Sequence, residues 1–176
     1  IIFNIYSKYI PNKTLIKVLK EDQQLSKGAK TLNPTLLSII VYGIASVMSY
    51  LHQNNIVHRD LKPDNVFLDE NYYPVLSGLG SSRIYNEMKM TSKIGTPYFM
   101  APEIFGDEED KITKKIDVYS FAITLLSLFT TVYKFEGSQP KNLNQFVENI
   151  MNGKRYIILK GIQKFYVKII NRCWKT

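Results

Sequence analysis

The chain has 176 residues, of which 45% are hydrophobic and 22% are charged. This length suits one domain with a sizeable core, and the composition excludes a disordered or low-complexity chain. Polar residues interrupt the apolar stretches, so we expect no membrane-spanning helix, and the first residues lack the basic and apolar regions of a signal peptide. Cys173 is the single cysteine, which excludes an intrachain disulfide and agrees with a reducing, cytoplasmic location.

The net charge of +8 raises the question of a nucleic-acid or membrane partner. The positive residues are mostly lysines that are spread along the chain. We therefore expect a solvated basic surface, with neither nucleic acid nor membrane as a partner.

The first half of the chain predicts a strand and two helices. Residues 1–10 mix apolar and aromatic residues and predict a strand, and residues 14–20 predict a short helix. Asn33 and Pro34 predict the start of the clearest helix, since Asn caps and Pro suits the first turn. Its apolar face recurs at spacings of three and four, at Leu36, Ile40, Ile44, Val47 and Leu51. Asn54 and Asn55 can take left-handed backbone and end it.

The second half predicts short strands followed by helices. The strands are expected at residues 56–57, 66–68 and 74–76, before a polar loop at residues 80–95. Residues 116–130 are apolar almost all round, which predicts a helix buried on every side. Residues 143–151 and 162–174 predict two further helices. No linker marks a second domain.

Three motifs occur in order along the chain. They are HRDLKPDN at His58 to Asn65, GTPYFMAPE at Gly95 to Glu103, and DVYSF at Asp117 to Phe121. Together they resemble the eukaryotic protein kinase family, and specifically its larger, helical C-terminal lobe. The resemblance implies a mainly α protein with a few short β-strands (α+β). Residues 1–12 would be the last small-lobe strand and the hinge, and residues 13–176 would be the C-lobe without its C-terminal end.

The resemblance implies a role for three residues of the catalytic loop, His58 to Asn65. Asp60 is the base that accepts the proton of a substrate hydroxyl, Lys62 reaches the transferring phosphate, and Asn65 binds magnesium. Lys62 is typical of the Ser/Thr-directed branch. Within that branch, the chain resembles the tyrosine-kinase-like group. The implied reaction moves the γ-phosphate of ATP to a protein hydroxyl. Without the motif, a loop Asp and a loop Asn would often only stabilise turns.

The nucleotide side departs from the family pattern. Gly78 stands where the family's Asp binds the magnesium that bridges the phosphates of ATP, and glycine has no side chain. Ser7 matches the gatekeeper, and Lys8 and Ile10 match the hinge that binds adenine. Phe67 stands where Leu is usual, so its ring either partly fills the adenine pocket or forms another apolar floor. No Gly-rich loop and no strand Lys occur within the given residues ahead of this hinge, so we expect the small lobe to be supplied by the full-length protein.

The resemblance also implies regulatory residues. Arg59 would pair with a phosphorylated activation loop, and Thr91, Ser92 and Thr96 are the candidate acceptors. The alternative is that these hydroxyl residues only fill a loop.

Three further residues would be structural. His58 would pack and bind backbone, and Asp117 would brace the catalytic loop through backbone amides. Glu103 would pair with an Arg beyond Thr176, so a buried Glu103 would here lack its usual partner.

Three hypotheses follow from these features. The chain is part of a Ser/Thr protein kinase that acts on a protein substrate, or a pseudokinase that holds a signalling partner, or a truncated product without activity. In all three, ATP and Mg²⁺ are the cofactors that the resemblance implies, and we expect the fragment by itself to be inactive because Gly78 replaces the magnesium ligand.

Overall fold

The computed structural model describes residues 13–24, 32–85, 94–106, 113–130, 134–135 and 139–175. The strand and hinge expected within residues 1–12 lie outside these residues, and so do Ser7, Lys8, Ile10, Thr91 and Ser92.

The described residues form five helices and four short strands. The helices are α1 (Leu15–Gln24), α2 (Pro34–Gln53), α3 (Lys115–Ser127), α4 (Leu143–Met151) and α5 (Lys164–Cys173). The strands are β1 (Ile56–Val57), β2 (Val66–Leu68), β3 (Pro74–Leu76) and β4 (Arg83–Ile84). The strands pair antiparallel as β1 with β4 and as β2 with β3. The expected fold class, mainly α with a few short strands, is confirmed.

Helix α2 begins and ends where the sequence predicts. The Asn33 side chain accepts a hydrogen bond from the Leu36 amide at 2.9 Å, and Pro34 occupies the first turn. Asn55, just past the end, adopts a left-handed φ of 57°. The core side of the helix consists of Ile40, Val41, Ile44, Met48 and Leu51.

Helix α2 is less interrupted by polar residues than the sequence analysis expected. Among the described residues, this helix is long and apolar enough to cross a membrane by length and composition. Its interrupting residues, such as Gly43 and Ser46, are uncharged, so they do not break the apolar stretch as the sequence analysis assumed. Since one side of α2 packs into the domain core, we treat it as a core helix.

Helix α3 lies at the centre of the packing. Its buried side chains include Ile116, Ile123 and Leu126, and α5 packs against it. Val118 is 37% exposed and Phe121 is half-buried, so α3 departs from the predicted all-round burial at these positions.

The β2–β3 hairpin positions two residues of the predicted site. Val66 pairs with Leu76, so Asn65 and Ser77 meet just beyond the ladder. The Asn65 carbonyl oxygen accepts from the Ser77 amide at 2.8 Å and from the Ser77 hydroxyl at 3.0 Å. The hairpin therefore brings Gly78 against the Asn65 side chain.

Candidate active site

The Asp60 carboxylate is the centre of a compact polar cluster. Its Oδ1 accepts from the Thr96 hydroxyl at 3.0 Å, and its Oδ2 accepts from Asn65 Nδ2 at 2.9 Å. Lys62 Nζ lies 3.1 Å from Asp60 Oδ2 and also donates to the Thr96 hydroxyl. The structure thus brings the three predicted catalytic residues together and adds Thr96 to them.

Thr96 reaches Asp60 because Gly95 passes very close to the catalytic loop. A Cβ at Gly95 would lie 2.6 Å from the Arg59 carbonyl oxygen, and its φ is +128°. Both features favour glycine at this position. Thr96 was predicted as a phosphate acceptor, but its hydroxyl is engaged at Asp60, where a phosphate would face a carboxylate. The geometry fits a positioning role better.

Asn65 is held in one orientation by its amide nitrogen. Nδ2 donates to the Asp60 carbonyl oxygen at 2.6 Å as well as to the carboxylate. Both amide atoms lie beside Gly78: a Cβ there would be 2.8 Å from Nδ2 and 3.1 Å from the amide oxygen, which is the acceptor that could bind a cation.

His58 joins the catalytic loop to the segment before Gly78. The Asp60 amide donates to His58 Nδ1 at 3.2 Å, so the ring proton is on Nε2 and is donated to the Ser77 carbonyl oxygen at 2.8 Å. The two hydrogen bonds use both ring nitrogens and so fix the orientation of the ring. The ring is fully buried.

The Asp117 side chain binds the backbone at the start of the catalytic loop. This carboxylate is 1% exposed and accepts from the backbone amides of His58 at 2.8 Å and Arg59 at 2.9 Å. His52 Nε2 lies 2.8 Å from Asp117 Oδ2. Arg59 has a left-handed φ of 71°, which a non-glycine residue adopts at an energetic cost. The two hydrogen bonds from the backbone amides to Asp117 hold the loop in that strained conformation.

The residues present do not fit the magnesium site that the family pattern implies. Gly78 offers no side chain, and the described residues include no group of three His, Cys, Asp or Glu side chains that could hold a metal. Magnesium binding in proteins relies on carboxylates, and Asn65 supplies only a neutral oxygen. We therefore assign no chemical step to a metal.

Gly78 is also fitted to its neighbour. It has a φ of +82°, and an added Cβ would lie 2.8 Å from Cγ and Nδ2 of Asn65. A larger residue at position 78 must therefore displace the Asn65 amide, which is hydrogen-bonded to Asp60. The glycine and the orientation of Asn65 are mutually compatible.

The floor of the expected nucleotide site is only partly described. Phe67 is half-buried in β2 and pairs with Val75. The predicted hinge residues lie outside the described residues, so the structure does not test whether the ring fills an adenine pocket.

Arg59 forms a buried positive site next to Arg83. Arg59 is 7% exposed, and its Nη2 has no hydrogen-bond partner in the described part of the chain. Burial lowers the pKa of Arg59, the nearby Arg83 lowers it further, and Asp117 opposes both effects. Arg83 was not among the predicted residues, because it lies in an exposed strand with no apolar or motif signal in the sequence.

Arg155 is a second residue that the sequence analysis missed. Its guanidinium donates to the carbonyl oxygens of Trp174 and Ile150 and lies 5.6 Å from the centroid of the Tyr119 ring. Burial raises the pKa of Tyr119 to about 12, and Arg155 opposes this while Glu103 adds to it. Glu103 is half-buried. The cost expected for a fully buried Glu103 without its usual Arg partner therefore does not apply in full. Arg155 thus places a cation in the region of Tyr119.

Cys173 does not have the environment of a nucleophile. Burial raises the pKa of its thiol, with a smaller opposing effect from Arg172. A raised pKa leaves less thiolate at neutral pH, which agrees with a packing role.

Replacing Asp117 with Ala should destabilise the protein by about 2–5 kcal/mol, because two buried backbone amides lose their acceptor. Urea denaturation measures this. The matched control is Asp64→Ala, which removes an exposed carboxylate of the same loop and should change stability by less than about 0.5 kcal/mol. Equal urea midpoints for Asp117→Ala and the unmodified protein would contradict the bracing role.

Comparison with known proteins identifies the family. The family described as "Protein kinase domain" matches residues 3–175. The chain is 34% identical over 170 residues to RGS domain-containing serine/threonine-protein kinase A of Dictyostelium discoideum, covering 96% of this chain and 14% of that protein. It is 33% identical over 172 residues to serine/threonine-protein kinase STY46 of Arabidopsis thaliana, covering 97% of this chain and 28% of that protein. The chain therefore spans a small part of these relatives, and it belongs to the protein kinase family.

Proposed function

We propose that this chain forms the large lobe of a Ser/Thr-directed protein kinase domain in which the substrate side of the site is intact and the magnesium side is impaired. The observation that carries the proposal is the contrast between Asp60, with its complete set of polar partners, and Gly78, which has no side chain to offer. The serine/threonine specificity is supported by Lys62 and by the printed names of both relatives.

The substrate side has the groups that hydroxyl activation needs. The side chains of Asp60 and Lys62 are 16% and 20% exposed, so a protein substrate can reach them. The carboxylate would accept the hydroxyl proton as general base, and the ammonium would balance negative charge that develops nearby. Thr96 and Asn65 hold the carboxylate in place.

The nucleotide side limits the reaction. ATP and Mg²⁺, the cofactors of the family, would supply the phosphoryl group and neutralise its charge. Asn65 is the described residue that matches a metal ligand, and no carboxylate accompanies it at position 78. We therefore expect very weak phosphoryl transfer, or none.

Gly78 also favours a second candidate function, that of a pseudokinase. The bonds from Asp117 to the catalytic loop and the packing of α3 need no nucleotide. A large lobe held together in this way could bind a signalling partner without catalysis.

Incubation of the protein that carries this domain with radiolabelled ATP and a protein substrate, in Mg²⁺ or Mn²⁺, separates the two functions. Any transfer should fall about a hundredfold or more in Asp60→Asn, because the general base is lost. Asp64→Asn, an exposed neighbour, should retain it. Transfer that survives Asp60→Asn would contradict the catalytic assignment. Absence of transfer with either metal would reject the enzyme and favour the pseudokinase.

We further propose that Arg59 and Arg83 bind a phosphate on the activation loop, at Thr91 or Ser92. The buried Arg59 Nη2 without a partner and the adjacent second guanidinium support this proposal. Arg binds phosphate through two parallel hydrogen bonds, which suits this site.

Thermal melting of the protein phosphorylated at Thr91 or Ser92, before and after phosphatase treatment, tests the proposal. The phosphate should stabilise the protein by about 1.5–3 kcal/mol, as hydrogen bonds to charged groups do, and Arg59→Ala should remove that increment. Lys20→Ala, which removes an exposed cation on α1, is the control. An increment that persists in Arg59→Ala would show that the phosphate binds elsewhere.

A further inference from the structure

The positive charge of the chain is concentrated at its C-terminal end. Residues 149–176 contain seven Lys and Arg and no Asp or Glu, while the chain as a whole has 23 basic and 15 acidic residues. The first 148 residues therefore carry 16 basic and 15 acidic residues, which leaves a net charge of +1. The basic residues are spread along the chain as expected, but the net charge is not, because every acidic residue lies before residue 149.

Helix α5 places three of these cations on one line. Lys164, Lys168 and Arg172 are four residues apart, so they follow each other along one face at intervals of about 6 Å. All three are exposed, and the opposite side of the helix is buried at Tyr166 and Ile170 and packs on α3. We refer to Lys164, Lys168 and Arg172 as the basic ridge.

An exposed aromatic ring flanks the basic ridge. Phe165 is 65% exposed. It lies three residues before Lys168 and seven before Arg172, spacings that put it on the same side of the helix. An apolar ring beside several cations is a combination found where proteins contact membrane interfaces.

Within the described part of the chain, the cations of the basic ridge have no ion pair with an acidic side chain. The lysines that do have such a partner there are Lys13 and Lys62. By contrast, Lys154 donates to Asn149 and Arg155 donates to carbonyl oxygens, so these two cations have partners within the domain. The ridge is therefore available to an external anionic surface.

We propose that the basic ridge binds the surface of a membrane containing anionic phospholipids, with Phe165 entering the headgroup region. Lys and Arg near such a surface each add to binding, and their apolar stems allow them to lie in the interface. Single-stranded nucleic acid is usually bound by several stacked aromatic rings, whereas one exposed ring, Phe165, flanks the basic ridge. A lipid surface also needs no complementary groove, which suits a single exposed helix face.

Vesicle co-sedimentation of the full chain tests this proposal. Vesicles of phosphatidylcholine with about a quarter phosphatidylserine should bind the protein, and pure phosphatidylcholine vesicles should not. The variant Lys164→Gln/Lys168→Gln/Arg172→Gln should bind about a hundredfold more weakly, since three surface cations are lost. Phe165→Ser should bind several-fold more weakly with unchanged salt dependence, because it removes no charge.

The control variant is Lys17→Gln/Lys20→Gln/Lys115→Gln, which removes the same charge from exposed residues of α1 and α3. It should keep most of the binding, and circular dichroism melts confirm that each variant is folded. Equal binding to neutral vesicles, or equal weakening by the control variant, would overturn the proposal. Tighter binding to polyuridylate RNA or to polyglutamate than to anionic vesicles would overturn it in favour of those polyanions.

Discussion

The Asp117 carboxylate fixes the catalytic loop in a conformation that the loop would not otherwise keep. The left-handed backbone of Arg59 costs on the order of 1–2 kcal/mol. The backbone amides of His58 and Arg59 each donate a hydrogen bond to the Asp117 carboxylate, a charged acceptor. Each of these hydrogen bonds contributes about 1.5–3 kcal/mol, so together they outweigh that strain. Asp117 is itself part of the central helix α3, and the core of the domain therefore determines where Asp60 lies.

The two sides of the site depend on that loop in different ways. On the substrate side, Asp60 has partners for both carboxylate oxygens. On the nucleotide side, the β2–β3 hairpin brings residue 78 against Asn65, which is where a second metal ligand would be useful, and that residue is glycine. In the function proposed above, this glycine leaves Asn65 without a neighbouring carboxylate for a metal ion.

Motifs and caps in the sequence predicted much of this arrangement. The start of α2 at Asn33 follows from a local capping signal, and the grouping of Asn65 with Asp60 was expected from the resemblance of the motif. Strand β4 and Arg83 could not be predicted, because this exposed segment lacks the apolar pair that indicated β1 and is defined by its pairing with β1. The role of Thr96 depends on a close passage of Gly95, which is a property of the folded chain. The charge at the C-terminal end was present in the sequence but becomes a ridge only through the helical spacing of α5.

We propose that the missing carboxylate at Gly78 limits nucleotide binding with magnesium. The most direct measurement is the thermal shift produced by ATP with and without Mg²⁺, in the protein that carries this domain and in its Gly78→Asp and Gly78→Ala variants. For each variant, the shift with ATP alone is subtracted from the shift with ATP and Mg²⁺, so that any destabilisation caused by displacing Asn65 cancels. Gly78→Ala also displaces Asn65 but adds no carboxylate, so it is the control. The account predicts a magnesium-dependent shift in Gly78→Asp alone. A shift of equal size in the unmodified protein would contradict it.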